Sequence, residues 1–217
     1  MTNIYNDKPD EYFSNIRKDI ISFIGNESKG LSILEVGAGS GATLLELKRK
    51  GIANKISGFD LFDICEDKRD FEEFIIGNIE KEEIPFNGKY DIIILADILE
   101  HLIEPEKTLE KLIPFLNDDG LIYISLPNMR NYKAIYQIFL KGDFKYEEEG
   151  ILDKTHLRFF CKKNMRNLIS NIAGIENVKI ESNLRHSNSK KSSLNSLTFR
   201  IFEEFLSLQY FLKVKKM

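Results

Sequence analysis

Short apolar runs alternate with amphipathic stretches along most of the chain. The runs are typical of buried β-strands and predict strands at 31–36, 55–60, 73–77, 90–95, 121–126, 178–184 and 209–215. The amphipathic stretches place apolar residues three or four positions apart and predict helices at 16–24, 42–50, 105–116, 135–139, 165–172 and 197–206. Strands that alternate with helices in this way indicate βαβ units and a mostly parallel α/β sheet.

Length and composition are typical of one globular domain. The 217 residues are 42% hydrophobic and 30% charged, and we interpret 1–217 as a single domain. Residues 127–160 break the alternation of strands and helices and are interpreted as an insertion within that domain. The formal net charge of -3 speaks against a general nucleic-acid binder, which needs an excess of Lys and Arg.

The sequence predicts neither a signal peptide nor a membrane span, and together with the cysteine usage this favours a cytoplasmic protein. The first 19 residues lack the apolar centre of a signal peptide, and no apolar run reaches the ~18–20 residues of a membrane span. Cys65 and Cys161 are far apart and match no metal-ligand spacing, so we expect two free thiols in a reducing compartment. The sequence leaves monomer and homodimer open.

A glycine-rich turn follows the first predicted strand. Gly37, Gly39 and Gly41 stand between a strand and a helix, where glycines allow positive φ and a close approach of backbone amides to a ligand. The spacing G-x-G-x-G departs from the G-x-G-x-x-G of dinucleotide sites, which counts against an NAD-dependent oxidoreductase. Glu35 would sit awkwardly beside a pyrophosphate but suits a cofactor with an amino group and a sulfonium. Asp60 ends the second strand, where a carboxylate accepts the hydroxyls of a ribose.

Five segments in order resemble the motifs of class I S-adenosylmethionine-dependent methyltransferases. They are Glu35–Gly41 (EVGAGSG), Gly58–Asp60, Gly77–Ile79, Tyr90–Leu95 and Asp119–Ile124, within a stretch of resemblance from 31 to 127. The resemblance implies a Rossmann-like, doubly wound sheet of seven strands whose last strand, 209–215, is antiparallel. It also implies S-adenosylmethionine as cofactor, bound by Glu35, Gly37, Ala38, Gly39, Gly41, Asp60, Leu61, Asn78, Ile79, Ala96 and Asp97. Asn78 stands where members often have Asp, and its oxygen is expected to accept from the adenine amino group.

The acceptor side carries two further resemblances. Ala96–Leu102 looks like the D-x-L-E-H signature of many small-molecule O-methyltransferases, and 142–160 resembles a bacterial subgroup found with glycosyltransferases and polysaccharide-assembly enzymes. These resemblances imply O-methylation of a small molecule or saccharide, with 127–160 on the acceptor side. An alcohol acceptor must lose a proton, and His156, with His101 as the second choice, is the expected base. A structural role for His156, as a capping or buried hydrogen-bonding residue, stays open.

Other interpretations of the site and of the function stay open. Asp97, Glu100, His101 and distant His156 are similar to the E-x-x-E-H cluster that holds a divalent ion in quinone-biosynthesis and small-RNA methyltransferases, although Asp97 has a shorter arm. An N-methyltransferase would need no base, because a neutral amine already carries a lone pair. A non-catalytic, cofactor-binding regulatory domain would keep the same motifs.

Residues 1–30 are expected to form a helical lid, with Tyr5, Tyr12 and Arg17 over the cofactor.

Overall fold

A mixed sheet of seven strands forms the centre of the computed structural model, which describes residues 15–186, 192, 195, 197 and 200–217. The strands are β1 (Leu31–Val36), β2 (Ala53–Asp60), β3 (Glu73–Ile76), β4 (Tyr90–Ala96), β5 (Leu116–Pro127), β6 (Ile175–Ser182) and β7 (Gln209–Lys216). Their order is β3-β2-β1-β4-β5-β7-β6. The first five strands in this order pair in parallel, whereas β7 runs antiparallel to both of its neighbours, β5 and β6. The expected α/β sheet with an antiparallel last strand is therefore confirmed.

Helices cover both faces of this sheet. They are α1 (Lys18–Ile24), α2 (Ala42–Arg49), α3 (Pro105–Leu112), α4 (Tyr132–Ile135), which continues into a π-helical turn at Tyr136–Leu140, α5 (Lys162–Ser170) and α6 (Glu203–Leu206). Apolar residues of α1 and α2 belong to one buried cluster, and those of α3 and α5 belong to another. In the described part of the chain, no helix combines the length and the apolar character needed to cross a bilayer.

Strand β4 lies between these two clusters. Ile92 and Ile94 pack into the cluster that contains α1 and α2, while Ile93 and Leu95 pack into the cluster on the opposite face. All four side chains are buried, and complete burial of such a side chain contributes about 1.5–3 kcal/mol. This placement explains the uninterrupted apolar run, because a central parallel strand has no face in water.

Several boundaries differ from the sequence prediction. The helix predicted at 105–116 ends at Leu112, because Pro114 has no amide hydrogen and lies in a short 3-10 turn before β5. Strand β5 begins before the predicted residue 121, and Asp119, with φ of 62°, lies in an irregular stretch of the strand instead of in a separate turn. The predicted strand at 178–184 runs from Ile175 to Ser182. The helix predicted at 197–206 is helical at 203–206, and part of its range lies outside the described residues. Tyr5 and Tyr12, expected in the N-terminal lid, also lie outside the described residues.

The site lies next to β1, where the strand order changes direction. From β1 the chain builds outward to β2 and β3 on one side and to β4 and β5 on the other. The connections leave a crevice at the carboxyl ends of the strands, where open α/β sheets bind ligands. A cavity of about 460 Å³ occupies this crevice and is lined by residues at or just after the ends of β1, β2, β3 and β4.

Candidate active site

The glycine-rich loop forms the floor of the first cavity. Gly37, Gly39 and Gly41 have φ of 75°, 56° and 78°, in the left-handed region that disfavours other residues. A Cβ atom at Gly37 would overlap Ile98, and one at Gly41 would overlap the ring of Phe71. Gly37, Ala38 and Gly39 line the cavity, whereas Gly41 lies behind it as the N-cap of α2.

Asp60, at the end of β2, is held in the wall by backbone amides. Its Oδ2 accepts from the Gly39 N–H at 2.7 Å and its Oδ1 from the Phe62 N–H at 2.9 Å. Burial raises the pKa of this carboxyl, although those amides oppose the shift. Each oxygen keeps a second lone pair, so the carboxylate can accept from a diol. Leu61, also expected at this site, lines the cavity.

Glu35 is the most strongly perturbed carboxyl of the first cavity. It is 3% exposed, and its Oε2 has no hydrogen-bond partner in the described part of the chain. Burial raises the pKa of Glu35 to about 8, although the nearby Arg17 lowers it; the charge of Asp60 adds to the rise. A buried oxygen without a partner is costly, and a cationic ligand group would remove that cost.

Asn78 and Ile79, which follow β3, line the cavity. The Asn78 Oδ1 accepts from the N–H groups of Glu80, at 3.0 Å, and Lys81, at 3.2 Å. This oxygen therefore closes the local turn, and a hydrogen bond from adenine would have to share it. Ile79 is buried against the core and presents an apolar surface of the kind that suits a purine ring.

Ala96 and Asp97 lie at the end of β4 and also line the cavity. Asp97 has φ of 57°, and its carboxylate accepts from Arg17 Nη1 at 2.5 Å, from Ser125 Oγ at 2.7 Å and from Gln209 Nε2 at 3.0 Å. The sequence motifs did not reveal Ser125 or Gln209, because neither belongs to a local pattern. Gln209 begins an antiparallel strand, which brings it to the edge where the parallel strands end.

A second cavity of about 870 Å³ adjoins the first. Its lining includes Tyr132 and Tyr136 from α4 and the π-helical turn, together with residues 147, 149–153 and 156. The two cavities share the lining residues Asp97, His101, Glu149 and Gln209. Ligands bound in the two cavities would therefore lie next to each other, beside these shared residues.

Glu100, His101 and His156 come together at the second cavity. One ligand atom of each lies within 4.8 Å of the others. Glu100 is fully buried, and neither carboxyl oxygen has a hydrogen-bond partner in the described part of the chain. Burial, followed by the charge of Asp97, raises the pKa of Glu100 well above its usual range. Of the expected metal set, the structure leaves Asp97 outside this group, since Arg17, Ser125 and Gln209 bind its carboxylate.

The two imidazoles differ in their surroundings. His156 Nδ1 lies 3.1 Å from the Ile151 carbonyl, which can only accept, so the lone pair of the neutral ring is on Nε2, 3.9 Å from Glu100 Oε1. His101 Nδ1 likewise donates to the Thr155 carbonyl at 3.2 Å. Burial and then His156 lower the pKa of His101 to about 4, which keeps this ring neutral near pH 7.

Comparisons with known proteins agree with this architecture. A family model described as a methyltransferase domain matches residues 10–180. The ubiquinone biosynthesis O-methyltransferase of Glaesserella parasuis is 24% identical over 143 residues, covering 57% of this chain and 58% of that protein. The corresponding enzyme of Shewanella pealeana is 23% identical over 172 residues, covering 76% and 72%. The match thus spans 58% of the length of the first relative and 72% of the second.

Solved structures share the fold. An S-adenosylmethionine-dependent methyltransferase from Mesorhizobium loti superposes with a TM-score of 0.63 at 12% identity, covering 97% of this chain and 99% of the other. The plantazolicin methyltransferase BpumL, solved with SAH, gives 0.61 at 18% identity, covering 100% and 88%.

Proposed function

Because the chain belongs to the methyltransferase-domain family and S-adenosylmethionine is the cofactor of that domain, we propose that the protein methylates an oxygen of a small molecule or saccharide. The observation that carries this proposal is the shared wall of the two cavities. The first cavity has the donor-side features, and the second is lined by His156, beyond the shared residues Asp97 and His101. The O-methyltransferase names of the curated relatives favour oxygen as the acceptor atom.

The residues of the first cavity fit the cofactor. The unpartnered Oε2 of Glu35 suits its ammonium group and the carboxylate of Asp60 suits the ribose hydroxyls, while Gly37 and Gly39 line the cavity without side chains. Asn78 and Ile79 lie where the adenine is expected. When bound, S-adenosylmethionine supplies an electrophilic methyl group on a sulfonium.

His156 is the proposed general base. Its Nε2 carries the lone pair of the neutral ring, and the residue lines the second cavity. His101 is the weaker candidate, because a pKa of about 4 means that its ring holds a proton poorly at pH 7. His156 would take the hydroxyl proton of the acceptor at Nε2, while the cavity walls align acceptor and methyl group. Such alignment can lower the barrier by about 7–11 kcal/mol.

A divalent cation held by Glu100, His101 and His156 is a second proposal for the same site. The buried, unpartnered carboxyl of Glu100 favours it, because such a group is stable only when it is protonated or bound to a partner. Two neutral imidazoles and a carboxylate are suitable ligands, and a bound cation would acidify a coordinated hydroxyl. Metal analysis of the purified protein, with turnover before and after chelation, tests this. Full turnover without Mg, Mn or Zn would exclude a catalytic ion.

The function itself is tested in two steps. Calorimetric titration should show micromolar binding of S-adenosylmethionine and S-adenosylhomocysteine and none of NAD. A screen with labelled methyl donor then compares each hydroxylated glycan or phenol with its amino analogue. Methylation of the hydroxyl compound, lost in His156→Ala, supports the O-methyltransferase. Amine methylation that survives His156→Ala would support an N-methyltransferase instead. Cofactor binding without turnover on any acceptor would support a regulatory domain.

A further inference from the structure

A buried carboxylate that the proposed mechanism does not use lies near the two histidines of the second cavity. Asp153 is 1% exposed and belongs to the turn that precedes His156. Its Oδ1 accepts from both the backbone N–H and the hydroxyl of Thr155, at 2.8 and 2.7 Å. Burial of a charged group is costly unless hydrogen bonds offset the cost, so the groups that this carboxylate holds indicate its role.

The Thr155 hydroxyl connects this carboxylate to His101. Because the hydroxyl donates its one hydrogen to Asp153, its oxygen can only accept from His101 Nδ1, which is 3.1 Å away. The Thr155 carbonyl, 3.2 Å from the same nitrogen, also only accepts. Both contacts therefore require the hydrogen of the neutral His101 ring to be on Nδ1 and its lone pair to be on Nε2.

The same turn fixes His156 next to His101. Thr155 directly precedes His156, whose backbone N–H donates to the Asp153 carbonyl at 3.0 Å. The centroids of the two imidazole rings are 4.8 Å apart, with an angle of 64° between the ring planes. His101 lines both cavities, and His156 lines the second. A rotation of the His101 ring would therefore disturb the proposed base as well as the wall that the cavities share.

We propose that Asp153 is a positioning residue, which acts through the Thr155 hydroxyl to hold the His101 ring at the wall shared by the two cavities. The inference rests on the proposed function, because the held ring packs against His156, the proposed base. A displacement of about 1 Å in an active site can cost about 100-fold in rate. Asp153 and Thr155 do not line the first cavity, so the effect is on turnover and not on cofactor affinity.

Backbone contacts attach this segment independently of the two side chains. The N–H groups of Leu157 and Arg158 donate to the Glu100 carbonyl at 2.8 and 2.9 Å, directly before His101 in the chain. Removal of the Thr155 hydroxyl should therefore leave the segment in place and release the His101 ring alone.

The test combines a spectroscopic and a kinetic readout. Thr155→Val and Asp153→Ala remove the link, whereas Thr155→Ser and Asp153→Asn keep an oxygen at the same position. Asp118→Asn is the control, because this acid is exposed and lines neither cavity. Nitrogen NMR spectra report the tautomer of each neutral imidazole, and the chain has three histidines, whose signals His101→Gln and His156→Gln assign.

In the wild type, His101 should show the tautomer with hydrogen on Nδ1, and Thr155→Val and Asp153→Ala should add the other tautomer. With the hydroxyl compound found in the labelled-donor screen, both variants should lower kcat by about 10- to 100-fold at unchanged cofactor affinity. Thr155→Ser keeps the hydroxyl and should recover most of this rate. Asp153→Asn keeps an acceptor oxygen without the charge and should lie between, and Asp118→Asn should match the wild type.

A wild-type spectrum and kcat in Thr155→Val would overturn the positioning role. Equal losses in Thr155→Val and Thr155→Ser would also overturn it, because they would point to packing around the residue instead of to the hydroxyl. A parallel loss of cofactor affinity or of thermal stability would indicate a structural role in its place. Absence of methylation on every acceptor would overturn the proposed function, while the spectra would still decide whether Asp153 and Thr155 hold His101.

Discussion

Binding of S-adenosylmethionine should release a proton from Glu35. In the ligand-free chain, burial raises the pKa of this carboxyl to about 8, with Arg17 opposing and Asp60 adding to the shift. A carboxyl with that pKa is about 90% protonated at pH 7. The cofactor's ammonium favours the charged form, so the pKa should fall well below 7 in the complex. Binding at pH 7 should therefore release up to about 0.9 proton from Glu35.

The pH dependence has opposite signs for folding and for binding. Since the folded-state pKa of Glu35 is about 8, above its ordinary value of 4.5, its contribution to stability is full below pH 4.5 and is lost as the pH rises through 8. The free energy of unfolding of the ligand-free protein should fall over that range. Affinity for the cofactor should rise by up to about tenfold per pH unit and level off above pH 8.

Calorimetric titration in buffers of different ionisation enthalpy measures the number of protons released. Glu35→Gln removes the titrating group, so the difference between wild type and variant isolates Glu35 from the cofactor's own amino group. Glu110→Gln, an exposed position away from the cavity, is the matched control and should release as many protons as the wild type. The reasoning would be refuted if wild type and Glu35→Gln released the same number of protons on binding, or if the wild type released fewer protons than the variant.

Three further changes probe other parts of the site. Asp60→Asn leaves one acceptor oxygen for two backbone amides, and titration should show cofactor binding weaker by about 1–3 kcal/mol; unchanged affinity would contradict the ribose role. His156→Gln should lower kcat by about 100-fold with cofactor affinity intact, and a parallel loss of affinity would point to a structural role. Gly41→Ala should destabilise the fold by at least about 1–2 kcal/mol in thermal unfolding. Gly51→Ala has the same left-handed backbone in open space, so equal losses would show that overlap with Phe71 costs nothing.

The sequence was sufficient for features that depend on local backbone chemistry. Strand β4 could be placed because burial on both faces demands an unbroken apolar run. Gly37 and Gly39 could be placed in the turn after β1, at the wall of the first cavity, because a positive φ favours glycine. Helix α3 was predicted too long, since the apolar spacing continues past Pro114 although the proline ends the helix.

The partners of side chains were decided by the tertiary structure. The sequence left open a metal set that includes Asp97 and Glu100, but the carboxylate of Asp97 binds Arg17 and Gln209, which is 112 positions away. The sequence grouped His156 with Glu100 and His101 only through a resemblance, and the folded chain brings the two imidazoles together beside the buried, unpartnered carboxyl of Glu100. Spacing along the chain encodes the local conformation, and the sequence by itself therefore determined the fold and the glycine-rich loop. Contacts across the sheet edge depend on how separate strands end together, and only the folded chain brings those ends into one site.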